Sequence, residues 1–122
     1  MFVVMDVEKK LLAEAEKGCP VSQTELGNLY YRGRSILPNY NKALYWYYKS
    51  ALQNYAEAFL QLAHMHERGR GVRRNSSIAA EYYAKARDQF SFHLPDNDPR
   101  SQYFLAQFYS NGWGGIKRNR YK

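Results

Sequence analysis

Laid against itself at a shift of 36 residues, the chain pairs Leu26 with Leu62, Gly27 with Ala63, Tyr30 with His66, Gly33 with Gly69 and Ile36 with Val72. The register continues downstream, where Asn39 meets Asn75, Ala43 meets Ala79, Trp46 meets Tyr82, Tyr47 meets Tyr83, Lys49 meets Lys85 and Ser50 meets Ala86. A third copy follows the second at a shift of 43, pairing Leu62 with Leu105, Ala63 with Ala106, His66 with Tyr109 and Gly69 with Gly112. A period in the middle thirties, with two apolar-periodic segments and a glycine-rich break in each copy, is the pattern of stacked helical hairpins. One such hairpin cannot bury its own apolar face, so the repeat itself constrains the fold more than any composition does.

Each copy reads as a helix A, a turn and a helix B. Leu26, Gly27 and Tyr30 share one face of helix A, and the small residue lets a neighbouring helix approach. Gly33 and Gly69 are placed to end helix A in the left-handed conformation. Asn39 and Asn75 are placed to N-cap helix B, whose Ala43, Trp46, Tyr47 and Ser50 fall at i, i+3, i+4 and i+7 as a packing stripe. Residues Asp6 to Lys17 read as a lone helix B, because Ala15 aligns with Ala51 at the same shift.

The runs Leu26-Gly27-Asn28-Leu29-Tyr30-Tyr31-Arg32-Gly33 and Asn39-Tyr40-Asn41-Lys42-Ala43-Leu44-Tyr45-Trp46-Tyr47-Tyr48-Lys49-Ser50-Ala51 resemble the Sel1 repeat consensus, and Gly69-Arg70-Gly71-Val72, Ala79, Tyr83, Lys85 and Ala86 match it again. The resemblance implies an all-α fold, a short right-handed superhelix of Sel1-like hairpins related to tetratricopeptide arrays. On this reading residues 1–122 form a single domain: a capping helix at 6–18, repeat 1 at 20–55, repeat 2 at 56–98 with a long connection, and an incomplete repeat 3 at 99–122.

Composition narrows the function classes. Cys19 is the only cysteine, which excludes an intrachain disulfide framework. The apolar start Met1 to Met5 is far shorter than a signal-peptide core, and no run approaches the roughly 20 apolar residues of a membrane span, so a cytoplasmic protein is expected. Lys and Arg number 18 against 11 Asp and Glu, a formal charge of +7 that favours an acidic partner.

Residues for catalysis are not assembled by any spacing in the chain. His64 and His66 lie two apart on a helix and so face different ways, which makes a shared metal unfavourable; His66 holds the repeat's tyrosine position and reads as a packing residue. Gly69-x-Gly71 and Gly112-x-Gly114 follow helices rather than strands and recur with the repeat, so they read as turns rather than nucleotide loops. The expectation is a non-enzyme with no catalytic residue, cofactor or metal.

Helix-A residues facing away from the packing stripe are expected to line a concave groove for a partner: Thr24, Asn28, Tyr31 and Arg32 in the first copy, Leu60, His64, Glu67 and Arg68 in the second, and Tyr103, Gln107 and Ser110 in the third. Arg34, Arg70, Arg73, Arg74, Lys117, Arg118, Arg120 and Lys122 fall in or beside the loops after helix A and are expected to form a basic ridge. The resemblance implies a protein–protein interaction module, an adaptor or an immunity-type inhibitor; nucleic acid held by the ridge through its phosphates is the alternative. Because the third copy stops before a helix B, its exposed helix A is expected to be covered by its own tail, a partner, or a second copy in a homo-oligomer.

Overall fold

The computed structural model describes residues 2–33 and 37–93, together with Ala106. Among them the fold is all-α, with five helices and no strand: α1 (Phe2–Glu16), α2 (Pro20–Arg32), α3 (Tyr40–Ala51), α4 (Ala56–Arg68) and α5 (Ser76–His93). The N-terminal helix begins upstream of the expected Asp6, at Phe2. The helices group into two compact units, Met1–Ala58 and Phe59–Lys122. The third copy of the repeat lies outside the described residues except at Ala106.

In the first unit α2 packs against both α1 and α3. Pro20 occupies the first turn of α2, where its missing N–H costs nothing, and Gly33 closes the helix at φ 61°, its N–H donating to the Leu29 carbonyl. The close approach of α3 requires Gly27: a Cβ there would stand 2.6 Å from Cε1 of Tyr47, a side chain with no exposure at all. Leu26 and Tyr30 of α2 and Ala43, Trp46 and Tyr47 of α3 are buried. The chain then leaves the loop by a fixed exit. Asn39 donates its backbone N–H to the Tyr30 carbonyl at 2.8 Å, while its side chain accepts from the Lys42 N–H at 3.0 Å and caps α3.

A polar seam runs through this core and is fully paired. Ser50 Oγ donates to the Pro20 carbonyl at 2.9 Å, so its single proton is committed, and the 2.8 Å contact between Thr24 Oγ1 and Ser50 Oγ is made with Thr24 donating. Gln23 Nε2 donates to the Ala15 carbonyl, its Oε1 accepts from Gln53, and Gln53 also donates to the Gly18 carbonyl. These bonds tie the α1–α2 turn to the end of α3. No buried side-chain nitrogen or oxygen among the described residues lacks a partner, as the low dielectric of a core demands.

The second unit repeats the plan. Leu62, Ala63 and Met65 of α4 and Ala79, Tyr83, Ala86 and Phe90 of α5 are buried. Gly69 has φ 69° and ends α4, as Gly33 ends α2. Asn75 donates its N–H to the His66 carbonyl at 2.9 Å and accepts from the Ile78 N–H at 3.1 Å, reproducing both bonds of Asn39. His66 is a packing residue: it is 6% exposed, its Nδ1 lies 2.9 Å from the Leu62 carbonyl, and its ring lies 5.4 Å from that of Tyr82. Tyr82 in turn stacks on Phe59 at 6.2 Å.

Candidate partner-binding surfaces

The outward side of helix A carries an arrangement that recurs with the repeat. In the first unit the Tyr47 hydroxyl donates to Asn28 Oδ1; in the second the Tyr83 hydroxyl lies 2.9 Å from His64 Nδ1. Burial pushes both phenols above their ordinary range, so each keeps its proton and remains available as a donor. Burial, reinforced by the Arg68 guanidinium, lowers the His64 pKa and keeps its ring neutral. Asn28 and His64 are therefore half-buried residues held from beneath by a tyrosine of helix B.

Thr24 and Leu60 do not belong to a groove. Thr24 is 1% exposed and spends its hydroxyl on Ser50, and Leu60 is 9% exposed. Both sit early in helix A at the same repeat position, where this face of the helix is covered; the face reaches solvent only in its later turns. There Tyr31 is half-buried with its ring 5.4 Å from Tyr40, Glu67 is half-buried, and Arg32 and Arg68 are exposed. Arg32 and Asn28, with Leu11, Glu25 and Leu29, line an open cleft of about 190 Å³ between α1 and α2. Tyr103, Gln107 and Ser110 lie outside the described residues.

Of the expected basic ridge, Arg70, Arg73 and Arg74 are exposed in the irregular segment before α5. Arg73 and Arg74 line a second cleft, of about 420 Å³, with His66, Val72, Asn75 and Ile78. Arg34, Lys117, Arg118, Arg120 and Lys122 lie outside the described residues. No group of three or more His, Cys, Asp or Glu among the described residues is placed to hold a metal ion, and no helix there is long and apolar enough to cross a membrane.

The Sel1 repeat family matches residues 20–55, 56–89 and 99–122, most of the chain. The chain belongs to the Sel1 repeat family. Sel1 repeat proteins are typically non-catalytic scaffolds that mediate protein–protein interaction. The chain is 32% identical over 109 residues to the ERAD-associated E3 ubiquitin-protein ligase component HRD3B of Arabidopsis thaliana; the match takes 88% of this chain and spans only 16% of that relative. Among solved structures, a protective antigen present in uropathogenic Escherichia coli strains and displaying an SLR fold matches at TM-score 0.65 and 31% identity, over 92% of this chain and 22% of its own. A Sel1 repeat protein from Oxalobacter formigenes matches at TM-score 0.65 and 25% identity, over 92% of this chain and 42% of its own.

Two features of these hairpins are not marked by the apolar periodicity. The tyrosine bonds to Asn28 and His64 join residues assigned to opposite faces, yet both pairs stand at the repeat shift, which is the signal that reveals them. Gln23, 4% exposed and bonded in two directions, carried no periodic mark because the second copy has Phe59 in its place.

Proposed function

We propose that this Sel1 repeat chain is a non-catalytic interaction module, an adaptor or an inhibitor, that holds an acidic partner protein through the outward ends of its A helices. The observation that carries this reading is the recurrence of an exposed arginine, Arg32 and Arg68, at the last residue of α2 and of α4. Arginine joins a broad contact area to directional hydrogen bonds and is enriched where partners are gripped. In the first unit Arg32 borders the cleft floored by Leu11 and Leu29, so charge and apolar surface stand side by side. A chain of formal charge +7 steers an acidic protein toward such a surface.

The test is affinity capture from native cells with wild type and an Arg32→Ala/Arg68→Ala double variant. Both side chains are exposed, so the variant is expected to fold normally. An acidic protein bound stoichiometrically by wild type and lost in the variant supports the reading; equal recovery by both overturns it. The exposed loop arginines Arg70, Arg73 and Arg74 favour nucleic acid as a second reading. It requires nuclease-sensitive recovery, steep weakening with salt, and indifference to the double variant.

A further inference from the structure

The loop before α5 contains the run Arg73-Arg74-Asn75-Ser76, and all four residues are exposed. The equivalent positions differ in the other two copies: Leu37-Pro38-Asn39-Tyr40 in the first, and Lys117-Arg118-Asn119-Arg120 in the third. A hydroxyl preceded by a pair of arginines therefore occurs once, although the asparagine between them is common to all three. Kinases with a carboxylate-lined substrate cleft choose serines that follow arginines at the second and third preceding positions, because two guanidiniums there pair with fixed acids. Ser76 satisfies that pattern.

The local backbone suits the reaction. Residues 70–75 are neither helix nor strand, and Ser76 is the first residue of α5, so an enzyme needs to draw out an exposed loop, releasing the two hydrogen bonds of Asn75, and fray the helix at its end. We propose that Ser76 is a phosphorylation site for a serine kinase that selects paired arginines. The Ser76 Oγ attacks the γ-phosphorus of magnesium-bound ATP; the new O–P bond forms as the bond to the β,γ-bridging oxygen breaks, ADP leaves, and the hydroxyl proton passes to the kinase's catalytic base. The product places about two negative charges at the start of α5, where the helix dipole favours them, beside Arg73 and Arg74. On the reading of an acidic partner given above, this cancellation of the arginine pair's charge weakens that partner's attraction to the loop.

The experiment uses the full folded chain, the catalytic subunit of a cyclic-AMP-dependent protein kinase, and magnesium ATP, and needs no partner, so it succeeds or fails apart from the interaction reading. The expected result is one phosphate per chain, mapped by tandem mass spectrometry to Ser76 and absent in Ser76→Ala. An Arg73→Ala/Arg74→Ala variant is expected to lose at least tenfold in kcat/KM as substrate. The phosphorylated chain is expected to melt about 2–5 °C higher, as a favourable charge at a helix start does in a domain of this size. Phosphate mapped instead to Ser77, or to Ser35 with Arg32 at its third preceding position, overturns the proposal. So do transfer only to heat-denatured chain, equal rates in the double-arginine variant, and an unchanged or lowered melting temperature.

Discussion

The α2–α3 hairpin and the α4–α5 hairpin build one geometry from different chemistry. Both end helix A with a left-handed glycine, leave the loop through an asparagine N–H bonded to a helix-A carbonyl, and use the asparagine side chain to cap helix B. Both set a helix-B tyrosine against a half-buried residue of helix A. What differs is the filling. Gly27 becomes Ala63, the hydrogen-bonded pair Thr24 and Ser50 becomes the apolar pair Leu60 and Ala86, and Asn28 becomes His64. The repeat preserves the groups that direct the backbone and lets the side chains between them change, as a coordinated pair at Thr24 and Ser50 and against an unchanged tyrosine at Gly27 and Asn28.

Exchanging residues between the hairpins tests that rule. The largest effect is expected from Gly27→Ala, which imports the residue of the second repeat without its surroundings. Alanine gains up to about 1 kcal/mol of helix propensity, but its Cβ meets the fully buried Tyr47 ring at 2.6 Å, so a net loss of about 2 kcal/mol is expected in denaturant unfolding. An unchanged midpoint would show that the α2–α3 distance is not set by this contact.

Ser50→Ala comes next, at about 1–2 kcal/mol, because the Thr24 hydroxyl and the Pro20 carbonyl both lose a buried partner. Adding Thr24→Leu, to reproduce the apolar pair of the second repeat, should recover most of the loss in a double-mutant cycle. Additive losses would mean that each polar residue is held by its own surroundings instead of by the other. Asn39→Ala and Asn75→Ala should each cost about 1 kcal/mol, and by similar amounts, since each asparagine makes the same capping bond.

The smallest effect concerns pH. The folded His64 pKa lies below its ordinary 6.5, so the unfolded chain takes up the proton first; the contribution is fully present above 6.5 and is lost as pH falls through the lowered folded value. His64→Asn, which copies Asn28, should flatten the fall in melting temperature below pH 6.5 relative to wild type. Identical slopes in the two proteins would remove His64 as the cause.

Backbone-directing groups were legible in the sequence because each has a residue type of its own: glycine for positive φ, asparagine for the cap, a small residue for close approach, and aromatic spacing for the stripe. The buried end of helix A was not. Thr24 looked like a surface residue because its burial is sustained by a hydrogen bond to Ser50, which no apolar pattern records. Leu60 at the same repeat position carried the missing signal, since a leucine there marks a covered site. The expected groove thus began about a turn too early, and only its later residues, Arg32 and Arg68 foremost, stand in solvent.

The hydrogen bonds from Asn39 to Tyr30 and from Asn75 to His66 lock entry and exit of the inter-helix loop at the same separation in both repeats. The residue pairs just before those asparagines are then a cassette: evolution, or a protein engineer, can rewrite them while the helices on either side keep their places, whereas Gly71, held at φ 73°, has to stay. The leucine–proline pair of one loop and the arginine pair of the other are two such inserts already in use on a single frame.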